Sequence, residues 1–102
     1  MKILALLTPA AGKSLADFQP HVTAEERALW PMYKQGLVRE MYFQPEPLTV
    51  SLVFEAAGSD EVQAALGGLP MVQAGLLEAR LVALGPWLPI EGLFDPAHPA
   101  AG

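Results

Sequence analysis

With 102 residues, of which 52% are hydrophobic, the chain is too short for two ordinary domains and too apolar for a disordered segment. Six basic against eleven acidic residues give a formal charge of -5, which repels phosphate backbones and anionic lipid headgroups and argues against nucleic acid or a membrane surface as partner. No cysteine is present, so disulfides and thiolate metal sites are excluded and a cytoplasmic, reducing setting is expected.

Residues 2–8 form an apolar run closed by Pro9 and Gly12, shorter than a signal-peptide core or a membrane span and suited to a central strand covered on both faces. Ser14 and Asp17 have capping-box spacing, and Leu15, Phe18, Val22, Leu29 and Tyr33 then recur three, four or seven residues apart. This predicts a helical stripe ending near Gly36. Pro20 and Pro31 lie within it, and each removes an amide donor and crowds the carbonyl four residues back, so the helix is expected to kink or come in pieces.

From Leu37 to Gln44 the residues alternate between Leu37, Arg39, Met41, Phe43 and Val38, Glu40, Tyr42, Gln44, which predicts a second strand ending at Pro45-Glu46-Pro47. Thr49 to Glu55 predicts a third, with Val50, Leu52 and Phe54 on one face. Gly58-Ser59-Asp60-Glu61 supplies a break, an N-cap at Ser59 and two acids for a short second helix that stops at Gly67-Gly68. Gly75 to Leu84 alternates again, giving a fourth strand.

The order βαββαβ is the ferredoxin-like α+β pattern, a four-stranded antiparallel sheet with two helices on one face. Too few charges remain to solvate the other face, and the Pro-broken segment 85–94 carries Trp87, Leu88, Ile90, Leu93 and Phe94 as an extended apolar arm. Both features predict a homo-oligomer, a dimeric α+β barrel joined through the sheet face and the arm. Residues 1–94 are read as one domain including the arm, and 95–102 as a flexible tail.

Motifs for nucleotide binding, zinc proteases and α/β-hydrolases are absent, and His21 and His98 are the two imidazoles, too few for a multi-histidine metal site. His21 and Glu25 stand four apart, a spacing that sets a carboxylate beside an imidazole on a helix. Glu40 is a candidate general base if its face turns toward the helices, where desolvation would raise its pKa, and otherwise a member of a cross-strand ion pair with Arg39 or Arg80. Trp30, Tyr33 and Tyr42 are candidates to line a pocket for a flat apolar ligand, as well as ordinary packing residues. Arg39 and Arg80 are candidates for holding a substrate carboxylate, or for pairing with Glu40 or Glu78.

The stretches Arg27-Ala28-Leu29-Trp30 through Tyr33 to Gly36, Val38 to Phe43, Leu69-Pro70-Met71-Val72-Gln73-Ala74-Gly75-Leu76, and Leu84-Gly85-Pro86-Trp87 with Leu93-Phe94 resemble the muconolactone delta-isomerase-like group of dimeric α+β barrel proteins. The resemblance spans about residues 1–94. It implies an oligomer built from β-sheet dimers, without metal or organic cofactor, whose enzymes move a proton along an unsaturated lactone. Under it, Glu40 or His21 shuttles the proton, and Arg39, Tyr33 or Tyr42 steadies the oxyanion. The competing expectations are a cofactorless monooxygenase of an aromatic substrate and a small-molecule binding or assembly module without turnover.

Overall fold

The computed structural model describes residues 1–97, so His98 and the rest of the tail lie outside it. The run 2–8 forms β1 (Lys2–Pro9), followed by the short helix α1 (Leu15–Phe18), a 3-10 turn at Gln19–His21 and the long helix α2 (Val22–Lys34). The hairpin β2 (Val38–Pro45) and β3 (Leu48–Glu55) comes next, then α3 (Ser59–Leu66), α4 (Pro70–Gln73) and β4 (Leu77–Leu84). The sheet order is β2-β3-β1-β4 with every neighbouring pair antiparallel. This is the ferredoxin-like fold expected from the element order.

The expected capping box starts α1. The Ser14 N–H donates to the Asp17 carboxylate at 2.7 Å, and that bond, with help from the Ser14 hydroxyl and Lys13, outweighs a small desolvation effect and holds the Asp17 carboxyl below the usual range. The two prolines act differently. Pro20 sits in the 3-10 turn that divides α1 from α2, whereas Pro31 lies inside α2, which runs on to Lys34. There, Gly36 adopts φ +81°, its N–H donates to the Tyr33 carbonyl and the Leu37 N–H to the Met32 carbonyl, the Schellman pattern that a glycine stabilises.

Four expectations about the strands and the second predicted helix are corrected. Strict alternation along 37–44 fails because a bulge between Val38 and Glu40 adds a residue to β2. Val38, paired with Phe54, therefore shares the helix-side face with Met41 and Phe43, while Glu40 and Tyr42 face the other way. In α3, Ser59 is the first helical residue and Gly58 the cap, with the Glu61 carboxylate accepting the Ala57 N–H at 3.1 Å. The fourth strand starts at Leu77 rather than Gly75, because Pro70 opens the extra turn α4 ahead of it. Finally, β1 is central but covered on one face only: Ile3, Ala5 and Leu7 are buried, and Leu4 and Leu6 are half-buried on the open face.

The core lies between the sheet and the helices. Ile3, Ala5, Leu7, Leu52 and Phe54 from the central strands meet Phe18, Val62, Leu66 and Leu69. The segment after β4 differs from its expected extended form, since Leu88–Phe94 winds as 3-10 turns. Its backbone hydrogen bonds are local, and Trp87 and Phe94 remain 75% and 83% exposed, so it is not folded over its own sheet. Among the described residues no helix is long and apolar enough to cross a membrane.

Candidate functional site

The helical stripe that packs α1 and α2 on the sheet leaves a groove of about 480 Å³ over the β2–β3 side. Leu15, Phe18, Leu29, Met41, Val50 and Leu77 contribute apolar walls, and Glu25 is the buried charged side chain in them, 8% exposed. Its position follows from spacing: residue 25 stands three after Val22 and four before Leu29, on the stripe that faces the sheet.

Burial of a carboxyl there requires a hydrogen-bond partner. Pro70 begins α4, so the Met71 N–H falls in the first turn, where no intrahelical carbonyl can accept it. Glu25 Oε1 accepts that N–H at 2.9 Å, joining α2 to α4 across forty-six residues of sequence. Desolvation is the larger influence on the group and raises the Glu25 pKa. The Met71 N–H and the charge of His21 oppose it, and Glu26 adds to it weakly. The carboxyl is thus poised toward its neutral form in an apolar groove, with Oε2 not engaged by the Met71 bond. His21, half-buried at the junction of the 3-10 turn and α2, lies close enough to Glu25 to act on it electrostatically.

A second depression, about 580 Å³, runs along the outside of α2 and shares Val22, Glu26, Leu29 and Met41 with the first. Trp30 lines it and stacks on Tyr33, ring centroids 5.8 Å apart at 26°, with Trp30 57% exposed. The two depressions form one continuous apolar surface that opens toward the β2 edge.

The sequence candidates therefore separate into three places. His21 lies beside Glu25, Trp30 and Tyr33 lie together on the outer face of α2, and Glu40 sits with Tyr42 on the open face of the sheet. The condition under which Glu40 would be desolvated is not met: it is exposed, and its Oε1 accepts the Tyr42 hydroxyl at 2.7 Å. That bond, and then the carboxylate's charge, raises the Tyr42 phenol pKa. Arg39 turns back at the bulge and donates from Nε to the Gly36 carbonyl. Among the described residues the ion pair present is the Met1 ammonium with Glu55 at 3.4 Å, so Arg39 and Arg80 do not pair with Glu40 or Glu78. No group of three or more His, Cys, Asp or Glu comes together among them to hold a metal.

Glu25 was legible as the helical neighbour of His21 but not as the central carboxyl. The available signal was a lone acid at a core position of an apolar stripe, which the structure turns into a buried cap for α4.

The architecture defines the class: a ferredoxin-like α+β fold with an apolar groove under its helices. Neither a protein-family profile nor a curated protein sequence matches the chain. Among solved structures it is similar to 5-chloro-2-hydroxyhydroquinone dehydrochlorinase (TftG) from Burkholderia phenoliruptrix, determined in complex with 2,5-dihydroxybenzoquinone. The match has a TM-score of 0.69 at 19% identity and covers 83% of this chain and 94% of that one, a likeness of fold.

Proposed function

We propose that the protein is a proton-transfer enzyme of small cyclic carbonyl compounds, an isomerase of an unsaturated lactone or a related enol-forming ketone, with Glu25 as its base. The observation that carries this reading is the buried Glu25 carboxyl in an apolar groove large enough for a single ring. Desolvation strengthens such a base by raising its proton affinity above that of an ordinary carboxylate. The ligand of TftG, a flat ring with conjugated carbonyls, has the shape and chemistry that such a groove accepts.

In the proposed reaction Glu25 Oε2 removes a proton from carbon conjugated to the carbonyl. The C–H electron pair moves into the π system and the charge collects on the carbonyl oxygen as a dienolate. Protonated Glu25 returns the same proton at the other end of that system, so product and substrate are isomers. His21 offers an imidazole N–H to the oxyanion, and the Met71 N–H keeps Oε1 fixed while Oε2 works. Trp30, backed by Tyr33, lines the outer depression at the entrance; Tyr42 meets the groove along β2 between Met41 and Phe43, with its phenol on the open side of the sheet.

The test is proton NMR in D2O with a panel of unsaturated lactones and enolisable cyclic ketones. The parent chain is expected to incorporate deuterium into at least one of them, and Glu25→Gln to slow that exchange roughly 10²–10⁴-fold, the usual worth of a positioned base. Gln retains an oxygen for the Met71 N–H, so it removes the base and keeps the cap. Exchange unaffected by Glu25→Gln, or oxygen consumption on an aromatic substrate in place of exchange, would overturn the assignment.

The same reading includes a homodimer through the open sheet face, where Leu4, Leu6, Val53 and Val82 form an apolar strip with Leu84. Leu6→Lys at the centre of that strip is expected to lower the sedimentation mass, and an unchanged mass would exclude the sheet face as a joint.

A further inference from the structure

Besides the open sheet face, two apolar surfaces of this chain lack a cover, and they do not cover each other within one copy. The first is the mouth of the Glu25 groove, where Leu15, Met41, Phe43 and Trp30 are exposed around the buried carboxyl. The second is the segment 85–94, whose Trp87, Leu88, Ile90, Leu93 and Phe94 are all more than half exposed.

Exposure and distance together separate the segment from its own groove. The groove lies at the end of the sheet marked by Leu77 and Leu48, whereas the segment leaves from Leu84 at the other end of β4. Seven residues of strand put that exit roughly 23 Å from Leu77. The strand order adds three interstrand gaps, about 14 Å, before the β2 edge where the groove opens. Residues 85–87 add up to about 10 Å and Leu88–Phe94, wound as 3-10 turns, about 14 Å, and in this copy Trp87 and Phe94 stay 75% and 83% exposed rather than seated in the groove. The molecule also extends outward: it measures 59 × 29 × 18 Å with a radius of gyration of 17.7 Å, against about 13 Å for a compact chain of this length. The segment stands off its own body as an arm.

We infer that this arm docks in the Glu25 groove of a second copy of the chain and forms the lid of that site. The inference rests on the reading of the groove as the ligand site, and adds the partner that closes it. The area available for exchange favours a second copy over another protein. The arm's five large apolar side chains, at roughly 100–200 Å² each, bury on the order of 600–800 Å² per arm. Exchanged reciprocally about a twofold axis and matched by the grooves, this exceeds the roughly 1,000 Å² at which specific interfaces begin. A closed lid excludes water from Glu25, which strengthens its coupling to His21 and to a developing dienolate.

The cysteine-free sequence makes the contact directly testable by disulfide trapping. Full-length Leu93→Cys and Leu15→Cys, both at exposed positions, are mixed under mild oxidation, and the crosslinked species are identified by mass. A mixed dimer is expected at a yield roughly a hundredfold above that of Leu93→Cys with Asp60→Cys on α3, because docking sets an effective concentration near millimolar against micromolar protein. A mixed dimer no more abundant than this control overturns the proposal. So does an internal crosslink at single-chain mass in the Leu15→Cys/Leu93→Cys double variant. The exchange assay separates this result from the proposed activity. A strong mixed crosslink without deuterium exchange keeps the lid and removes the proton-transfer reading; exchange without the crosslink keeps the activity and removes the lid.

Discussion

Glu25→Gln is expected to unfold at a higher temperature than the parent chain at pH 7 and at nearly the same temperature at pH 4. The folded chain holds the Glu25 proton more tightly than the unfolded chain does, because desolvation raises the pKa above the ordinary 4.5. Between that value and the raised one the folded state binds more protons, so stability falls as pH rises through the window. Below 4.5 both states are protonated and the cost is absent. Above the raised pKa the parent carries the full cost of a buried, singly bonded carboxylate. Gln carries no charge, can still accept the Met71 N–H, and escapes the cost at every pH. The expected gain is a few degrees, 1 kcal/mol being worth roughly 4–8 °C in a domain of this size. Thermal unfolding of both chains across pH 4 to 8 checks it. A variant less stable than the parent at pH 7 would mean that the ionised carboxylate is held by bonds stronger than its desolvation.

The same group sets the expected pH profile of exchange. A base must be ionised to act, so kcat/KM should rise with pH on the acid side, with its midpoint above the ordinary carboxylate value. Stability and activity then oppose each other at one residue, the relation expected where a fold maintains a strained charge for chemistry. A carboxyl kept only as a cap for α4 would give the stability effect without the activity effect.

Much of the fold was legible because its signals are local. Period-2 runs in β3 and β4, the capping box at Ser14, and Gly36 after a helical stripe each restrict the backbone by their own chemistry, and the order of elements then leaves few topologies. What escaped depends on contacts between distant segments. The bulge at Arg39 is invisible to a parity count, yet it alone sets Val38 on the core side and Glu40 on the open face. Glu40 was singled out as a base on the condition that its face turned toward the helices, which alternation could not fix. Glu25 was undervalued because its partner, the orphan N–H of Met71, arises only once Pro70 starts a helix against α2. The arm was read correctly as apolar, but its Pro86 and Pro89 suggested an extended chain where local turns form instead.

Phe54→Ala is expected to be the most damaging single substitution in the sheet, costing about 3–5 kcal/mol of a total stability of roughly 5–15. Phe54 is fully buried, its backbone is paired with Ile3 on one side and Val38 on the other, and its ring lies in the cluster with Val62 and Leu66. Removing the ring leaves a cavity at a crossing of three strands, where the paired backbones cannot close in to fill it. Ser51→Ala, on the open face of the same strand, should stay within about 0.5 kcal/mol, since it leaves the core untouched. Chemical denaturation of the two variants reads the difference as a shift in midpoint at constant slope. The comparison also tests the register on which the site depends. A slip of one residue in β3 would exchange the two faces, placing Phe54 outward and Ser51 inward, and would reverse the order of the two costs. The groove would then lose Val50 and Leu52 from its floor and gain Thr49 and Ser51, and Glu25 would no longer face an apolar wall. A large loss for Phe54→Ala beside a small one for Ser51→Ala therefore supports both the core and the apolar floor that raises the Glu25 pKa.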